Sequence, residues 1–190
     1  MIINSILGRA GLPLEYEIIP TGFSPDPLMN GDGDAYLSFA INQPIILESM
    51  GLKQDKDFFV RLYADLGYSI PGGFLMSKRS FVEKNRAAVV AYLKAFAHGW
   101  RDNAKDPAYA TDLTVNKYGA DLSLDRAQQL RQNELQIPLV MRSGQPDCIW
   151  LDQDAVADGL AQAAKGAGRQ MPPIADILVL DPLKEAFATL

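Results

Sequence analysis

In the first third of the chain, short apolar runs are separated by glycine and proline. The runs alternate in polarity or are rich in β-branched and aromatic residues, which predicts three strands, at residues 14–20, 34–40 and 57–65. Proline near a helix start and glycine after its end predict two short helices between them, at residues 25–30 and 44–50. The order β-α-β-α-β with short connections predicts a parallel sheet with crossover helices, and so an α/β fold.

After a fourth short predicted strand at residues 73–79, the apolar spacing becomes helical. In "NRAAVVAYLKAFAHGWRD", Val89, Leu93, Phe96 and Trp100 form one stripe at steps of four, three and four. Further helices are predicted at residues 106–119, at 123–135 with Ser123 as the cap, at 152–168 and at 183–188. Because the pattern changes near Tyr68, we expect residues 1–67 and 68–190 to belong to different lobes.

The composition is that of a globular protein, with 48% hydrophobic residues, 22% charged residues and a net charge of −5. No Lys/Arg cluster is present, so nucleic acid is not an expected partner. No apolar run is long enough to span a bilayer, so direct membrane insertion is not expected either. The first residues lack the charged and apolar regions of a secretory signal and instead predict the end of a helix, with Gly11 after it. This start predicts a chain that lacks its natural beginning.

Candidate ligand-binding residues follow the first two predicted strands. In open α/β sheets, ligands bind beyond the carboxyl ends of strands, against helix N-termini. Amides there can recognise the polar edge of a small molecule, and aromatic rings can form its walls. The candidates are Gly22, Phe23, Phe39, Asn42, Gln43 and Tyr68. The alternative is that Asn42 only caps a helix and Gln43 is a solvated helix residue.

Residues for catalysis or metal binding are scarce. His98 is the single histidine and lies on a polar helix face. Cys148 is the single cysteine, and because the chain has no second histidine it is a poor candidate for a nucleophile. A disulfide within the chain and a cysteine-rich metal site are excluded. Asp32 and Asp34 lack the closing glutamate of a calcium loop and fit turn chemistry. We therefore expect no metal, no cofactor and no enzymatic activity.

Several stretches, taken in order, resemble the substrate-binding proteins of ABC importers. These are "GFSPDPLMNGDGDAYLSFAINQPIILESMGL", "DLGYSIPGGFLMSKRSFVEKN", "VVAYLKAFAHGWRDNAKDPAYA" and "DCIWLDQDAVADGLAQAAKGAG". The chain is most similar to the NMT1/THI5-like and SsuA-like branch, which binds pyrimidine precursors of thiamine and also contains nitrate, sulfonate and riboflavin binders. The phrase "DAY…NQP" matches that branch's pattern of an acidic residue, a small residue and an aromatic, followed by Asn-Glu/Gln-Pro.

The resemblance implies a fold like that of the type II periplasmic binding proteins, with two α/β lobes joined at a hinge. Residues 1–67 would be part of the second lobe, and residues 68–190 the crossover and the mostly helical C-terminal part of the first lobe, much of which would be missing. Asn42 and Gln43 would line the ligand cleft, Phe23 would lie at a strand end, and Tyr68 would lie near the hinge. Gln43 stands where many pyrimidine-precursor binders carry an acidic residue.

The resemblance also implies a periplasmic protein that binds a small organic nutrient in the cleft between the lobes and delivers it to ABC permease subunits. A pyrimidine-like thiamine precursor is the favoured ligand, with a sulfonate, nitrate or riboflavin as alternatives. Two alternatives remain. One is an enzyme related to pyrimidine-precursor synthases, although their cysteine-rich motif and active-site histidine have no counterpart here. The other is a ligand-sensing or interaction module with no role in transport.

Overall fold

The computed structural model describes residues 2–68, 72–141, 148–166 and 168–190, and helices form more than half of them. The helices are α1 (Ile2–Arg9), α2 (Asp26–Met29), α3 (Gln43–Ser49), α4 (Arg79–Lys84), α5 (Arg86–Lys105), α6 (Pro107–Leu113), α7 (Arg126–Val140), α8 (Gln153–Gly166), α9 (Ile174–Ile177) and α10 (Asp181–Phe187). A π-helical turn, Thr114–Tyr118, and a 3-10 turn, Ala120–Leu122, connect α6 to α7.

Helix ends lie close to the positions that local chemistry predicts. Gly11, Gly31 and Gly51 follow α1, α2 and α3 with φ of +67°, +78° and +88°, a conformation that glycine adopts without a Cβ clash. The cap of α7 differs from the prediction. Ser123 precedes it in the left-handed region, and the Asp125 carboxylate accepts the hydrogen bond from the backbone N–H of Gln128 at 2.7 Å.

The four predicted strands are wrong as secondary structure within the described residues. One isolated parallel bridge, between Gln54 and Phe58, is the strand-like pairing found there. The apolar side chains of the predicted strands are largely exposed, including Leu14, Ile18, Leu37, Phe59 and Met76. A strand is stabilised by hydrogen bonds to a neighbouring strand, and apart from the single bridge at Phe58 none of these segments has such a neighbour among the described residues. The α/β class is therefore not confirmed, and the two-lobe architecture stays a prediction.

The chain divides into two compact units. The first unit comprises Met1–Leu14, Tyr63–Arg101 and Met141–Leu190. Within it α1 packs on α8, and a Cβ added to Gly166 of α8 would lie 3.0 Å from the Ser5 Cβ of α1. Its most buried side chains are Ala97, Cys148, Val156 and Ala186. The predicted boundary at Tyr68 lies inside this unit, in its second segment.

The second unit comprises Glu15–Leu62 and Asp102–Val140. Helix α7 packs against both α6 and α3 in this unit. Between α5 and α7, the Asn103 and Asn133 side chains exchange two hydrogen bonds, at 2.8 and 2.7 Å. Asn133 also donates to the Pro107 carbonyl at 3.2 Å, which fixes α7 against the start of α6. The packing of α7 against α3 places an amide-rich helix beside the segment that carries most of the candidate residues.

Candidate functional site

Gln43 connects two loops of the second unit. It lies in the first turn of α3 and is only 3% exposed. Its Oε1 accepts a hydrogen bond from the Phe39 backbone N–H at 2.9 Å, and its Nε2 donates to the Phe23 carbonyl at 3.4 Å. The hypothesis that Gln43 is a solvated helix residue is therefore wrong. The side chain holds the backbone of two other candidate residues beside α3.

Asn42 occupies the N-cap position of α3, but its side chain makes no capping hydrogen bond. The start of the helix is supported by main-chain bonds, since the Asn42 carbonyl accepts from Ile45 N at 3.0 Å. The Asn42 Oδ1 atom instead accepts a long hydrogen bond from Gln128 Nε2 of α7, at 3.4 Å. Because each amide has two N–H donors and an oxygen with two lone pairs, this one bond leaves both side chains able to form further hydrogen bonds. The hypothesis of a purely capping Asn42 is therefore wrong.

Phe23 and Phe39 expose their rings although their backbones are held by Gln43. Phe23 is 80% exposed and Phe39 is 66% exposed. The preceding Gly22 carbonyl accepts a hydrogen bond from the Tyr36 hydroxyl at 2.7 Å, which ties the Gly22–Phe23 loop to the segment before Phe39. The structure therefore places Gly22, Phe23, Phe39, Asn42 and Gln43 in one hydrogen-bonded group.

Tyr68 belongs to the first unit, not to this group. It is 5% exposed, and its ring packs edge-on against Tyr63 with the centroids 6.4 Å apart. Burial raises the pKa of the Tyr63 phenol above its ordinary value. Tyr68 thus acts as a packing residue within its unit. Residues 69–71 of the predicted hinge loop lie outside the described residues.

Helix α7 contributes polar residues that the sequence reasoning missed. Gln128 and Gln132 are four residues apart, so they lie on the same helix face, and Gln128 reaches Asn42 across 86 positions. The Gln132 Oε1 atom is buried and has no hydrogen-bond partner in the described part of the chain. The repeated glutamines of "AQQLRQNELQ" at helical spacing were the signal that could have identified this face.

Charged groups near the start of α7 form an exposed ion pair. The Asp112 carboxylate accepts a hydrogen bond from Arg126 Nε at 2.6 Å. This bond lowers the pKa of Asp112 below its ordinary value and raises that of Arg126. Both side chains are almost half exposed, so the pair positions the beginning of α7 more than it stabilises the fold.

The two residues considered for catalysis lie elsewhere. Cys148 is buried in the first unit, where its Sγ lies 3.5 Å from the Ala97 carbonyl oxygen, and His98 is exposed on α5. Among the described residues, no group of three or more His, Cys, Asp or Glu side chains could hold a metal ion. The group around Gln43 offers amide donors and acceptors beside aromatic faces. This arrangement can recognise a flat polar molecule by hydrogen bonding and stacking.

Comparison with known proteins bears on the same segment. A family model described as NMT1/THI5 like matches residues 1–110, which include every residue of the group around Gln43 and exclude α7. No curated protein and no solved structure matches the chain. Among the helices in the described part of the chain, none combines the length and the apolar character needed to cross a membrane.

Proposed function

The chain belongs to the NMT1/THI5-like family, and from this premise we propose that it is a solute-binding protein for a small, flat organic molecule. The favoured ligand is an aminopyrimidine of the kind that serves as a thiamine precursor. The site is the group formed by Gly22, Phe23, Phe39, Asn42 and Gln43 in the second unit.

The observation that supports this proposal is the contrast between fixed backbone and exposed rings. Gln43 is buried and bonded to the backbone of Phe39 and Phe23, whereas both phenylalanine rings face solvent. Loops held in this way keep two aromatic surfaces exposed next to backbone that Gln43 fixes, and Asn42 directly precedes Gln43. An aminopyrimidine combines a π face with ring nitrogens that accept and an amine that donates hydrogen bonds, and so matches both features.

We further propose that the protein delivers its ligand to the permease of an ABC importer, acts in the periplasm, and releases the ligand unchanged. We base these three roles on the members of the family that serve in transport. The enzyme alternative predicts turnover. Mass spectrometry after prolonged incubation with the aminopyrimidine should therefore recover it intact, and a time-dependent product would contradict the proposal.

Isothermal titration calorimetry with four ligand classes tests the binding proposal. The probes are an aminopyrimidine, riboflavin, an alkanesulfonate and nitrate, and we expect heat of binding with the aminopyrimidine. Replacing either exposed ring, by Phe23→Leu or Phe39→Leu, should weaken that binding by about five- to hundred-fold, the range expected for loss of one stacking contact.

Phe59→Leu is the matched control, because Phe59 lies in the same unit and is 65% exposed but is not bonded to Gln43. Its affinity should equal that of the wild type. All three substitutions are on the surface and should change stability by no more than about 0.5 kcal/mol. A protein that binds none of the four probes would contradict the proposed function, and equal losses in all three variants would contradict the site.

A further inference from the structure

Gln132 presents a buried acceptor that the fold does not use. Among the residues that the structure describes, its Oε1 atom has no hydrogen-bond partner, whereas buried side-chain polar atoms in folded proteins nearly always have one. An apolar residue of similar size would avoid the cost of desolvating this amide oxygen. Its acceptor capacity is therefore open to a donor that the described residues do not supply.

The geometry of α7 places this acceptor on the side of Asn42. Gln128 and Gln132 are about 40° apart around the helix axis, whereas Gln132 and Asn133 are about 100° apart. Gln128 contacts Asn42 of α3, and Asn133 bonds to Asn103 and to the Pro107 carbonyl. Gln132 thus lies nearer to the α3 side of α7 than to the α6 side.

The position of Gln128 on this face is fixed by the start of the helix. The Asp125 carboxylate accepts from the Gln128 backbone N–H at 2.7 Å, so the first turn of α7 is capped at this residue. The Gln128 side chain then meets Asn42 at 3.4 Å, a distance at the outer limit of a hydrogen bond. A ligand group could replace this weak contact at little cost.

We propose that Asn42, Gln128 and Gln132 form an amide subsite that selects ligands carrying an N–H donor. This inference rests on the proposed function and names the chemistry that the site selects. In the complex, Gln132 Oε1 accepts from the ligand N–H, and the Asn42 and Gln128 amides bond to the neighbouring ring nitrogen or amine. A ligand edge made only of acceptors, as in nitrate or a sulfonate group, would leave the Gln132 oxygen without a donor.

A selectivity measurement tests the subsite. Affinities are measured by calorimetry for an aminopyrimidine and for the methoxypyrimidine with the same ring, which keeps the shape but lacks the N–H. The wild type should prefer the amine. Gln132→Leu should reduce aminopyrimidine affinity by about five- to hundred-fold and leave the methoxypyrimidine nearly unchanged, so that the preference is lost.

Two further variants isolate the role of the oxygen. Gln132→Glu keeps an acceptor at this position and should retain the preference for the amine, even if Gln132→Leu were to fold poorly. Gln129→Leu replaces the glutamine next to Gln128, about 100° from Gln128 and about 60° from Gln132 around the helix axis, and should bind both probes like the wild type. The melting temperature of ligand-free Gln132→Leu should not fall, since the substitution removes a buried acceptor that has no partner.

The outcomes separate this inference from the proposed function. Wild-type protein that binds neither pyrimidine would overturn this inference, and it would overturn the proposed function as well if riboflavin, the alkanesulfonate and nitrate also failed to bind. Wild-type protein that binds the amine, together with an unchanged preference in Gln132→Leu, would overturn the subsite alone. A preference lost equally in Gln129→Leu would also overturn it, because the effect would then not depend on the α3 side of α7.

Discussion

Replacing Gln43 should destabilise the second unit by an amount that the structure allows us to work out. Gln43→Leu keeps most of the buried volume and removes both hydrogen bonds. The bond from Phe39 N to Oε1, at 2.9 Å, has ordinary geometry and should contribute about 0.5–1.5 kcal/mol. The bond to the Phe23 carbonyl, at 3.4 Å, is long and should contribute little.

The exposure of Phe39 decides how large the remaining penalty is. A buried N–H left without a partner costs about 1–3 kcal/mol, but the bond from Phe39 N to Gln43 Oε1 is only part-buried, so water can satisfy part of the freed N–H. We therefore expect Gln43→Leu to cost about 1 kcal/mol, which for a chain of this length lowers Tm by about 2–4 °C. Gln43→Ala should cost about 1–2 kcal/mol more, because it also leaves a cavity.

The assay is thermal unfolding followed by circular dichroism, together with urea unfolding at constant pH. Gln54→Leu serves as the control, since Gln54 is an exposed glutamine of the same unit whose side chain makes a long hydrogen bond to its neighbour Asp55, at 3.4 Å. The control should melt like the wild type. If Gln43→Leu also melted like the wild type, the inference that Gln43 holds the two loops together would be refuted.

Three further substitutions probe the second unit. Asn133→Ala should cost about 1–3 kcal/mol in urea unfolding, and a double-mutant cycle with Asn103→Ala should show coupling, because the two amides bond reciprocally at 2.8 and 2.7 Å; additive losses would contradict this. The hydrogen bond from Arg126 lowers the folded-state pKa of Asp112, so this pair stabilises the fold above the ordinary carboxyl value of about 3.9. That contribution should be lost as pH falls through the lowered folded-state pKa of Asp112. Asp112→Asn should therefore flatten the acid side of a plot of Tm against pH, and an unchanged acid side would show that the Asp112–Arg126 pair does not stabilise the fold. Ser123→Gly should raise Tm slightly and Ser123→Ala should not, since φ at this residue is 51° and only glycine is relieved of the Cβ clash; a gain with alanine would contradict the strain argument.

The sequence alone determined the positions of most helix ends. Glycine after α1, α2 and α3, proline at the start of α6, and apolar spacing along α5 and α8 are local signals. They act within one or two turns of the backbone, so they can be interpreted without knowing what packs nearby. The sequence also allowed five candidate residues to be chosen as one group, because they lie close together along the chain: Gly22, Phe23, Phe39, Asn42 and Gln43.

Only the tertiary structure determined whether the predicted strands form. Alternating apolar residues make a segment suitable for a strand, but the strand forms only where another segment provides hydrogen bonds. In the part of the chain that the structure describes, the segment from Leu14 to Pro20 has no such neighbour, and Leu14 and Ile18 remain exposed. Sequence periodicity could not reveal this, since it describes a face and not its partner.

The tertiary structure also decided which amides bear on the site. Gln43 was expected to face a ligand, yet packing turns its side chain toward the backbone of Phe23 and Phe39. Gln128 meets Asn42 from a helix 86 positions away, and the free acceptor of Gln132 lies one turn further along that helix. Such meetings depend on how α7 packs against α3, and a contact between distant segments has no local signal in a single sequence.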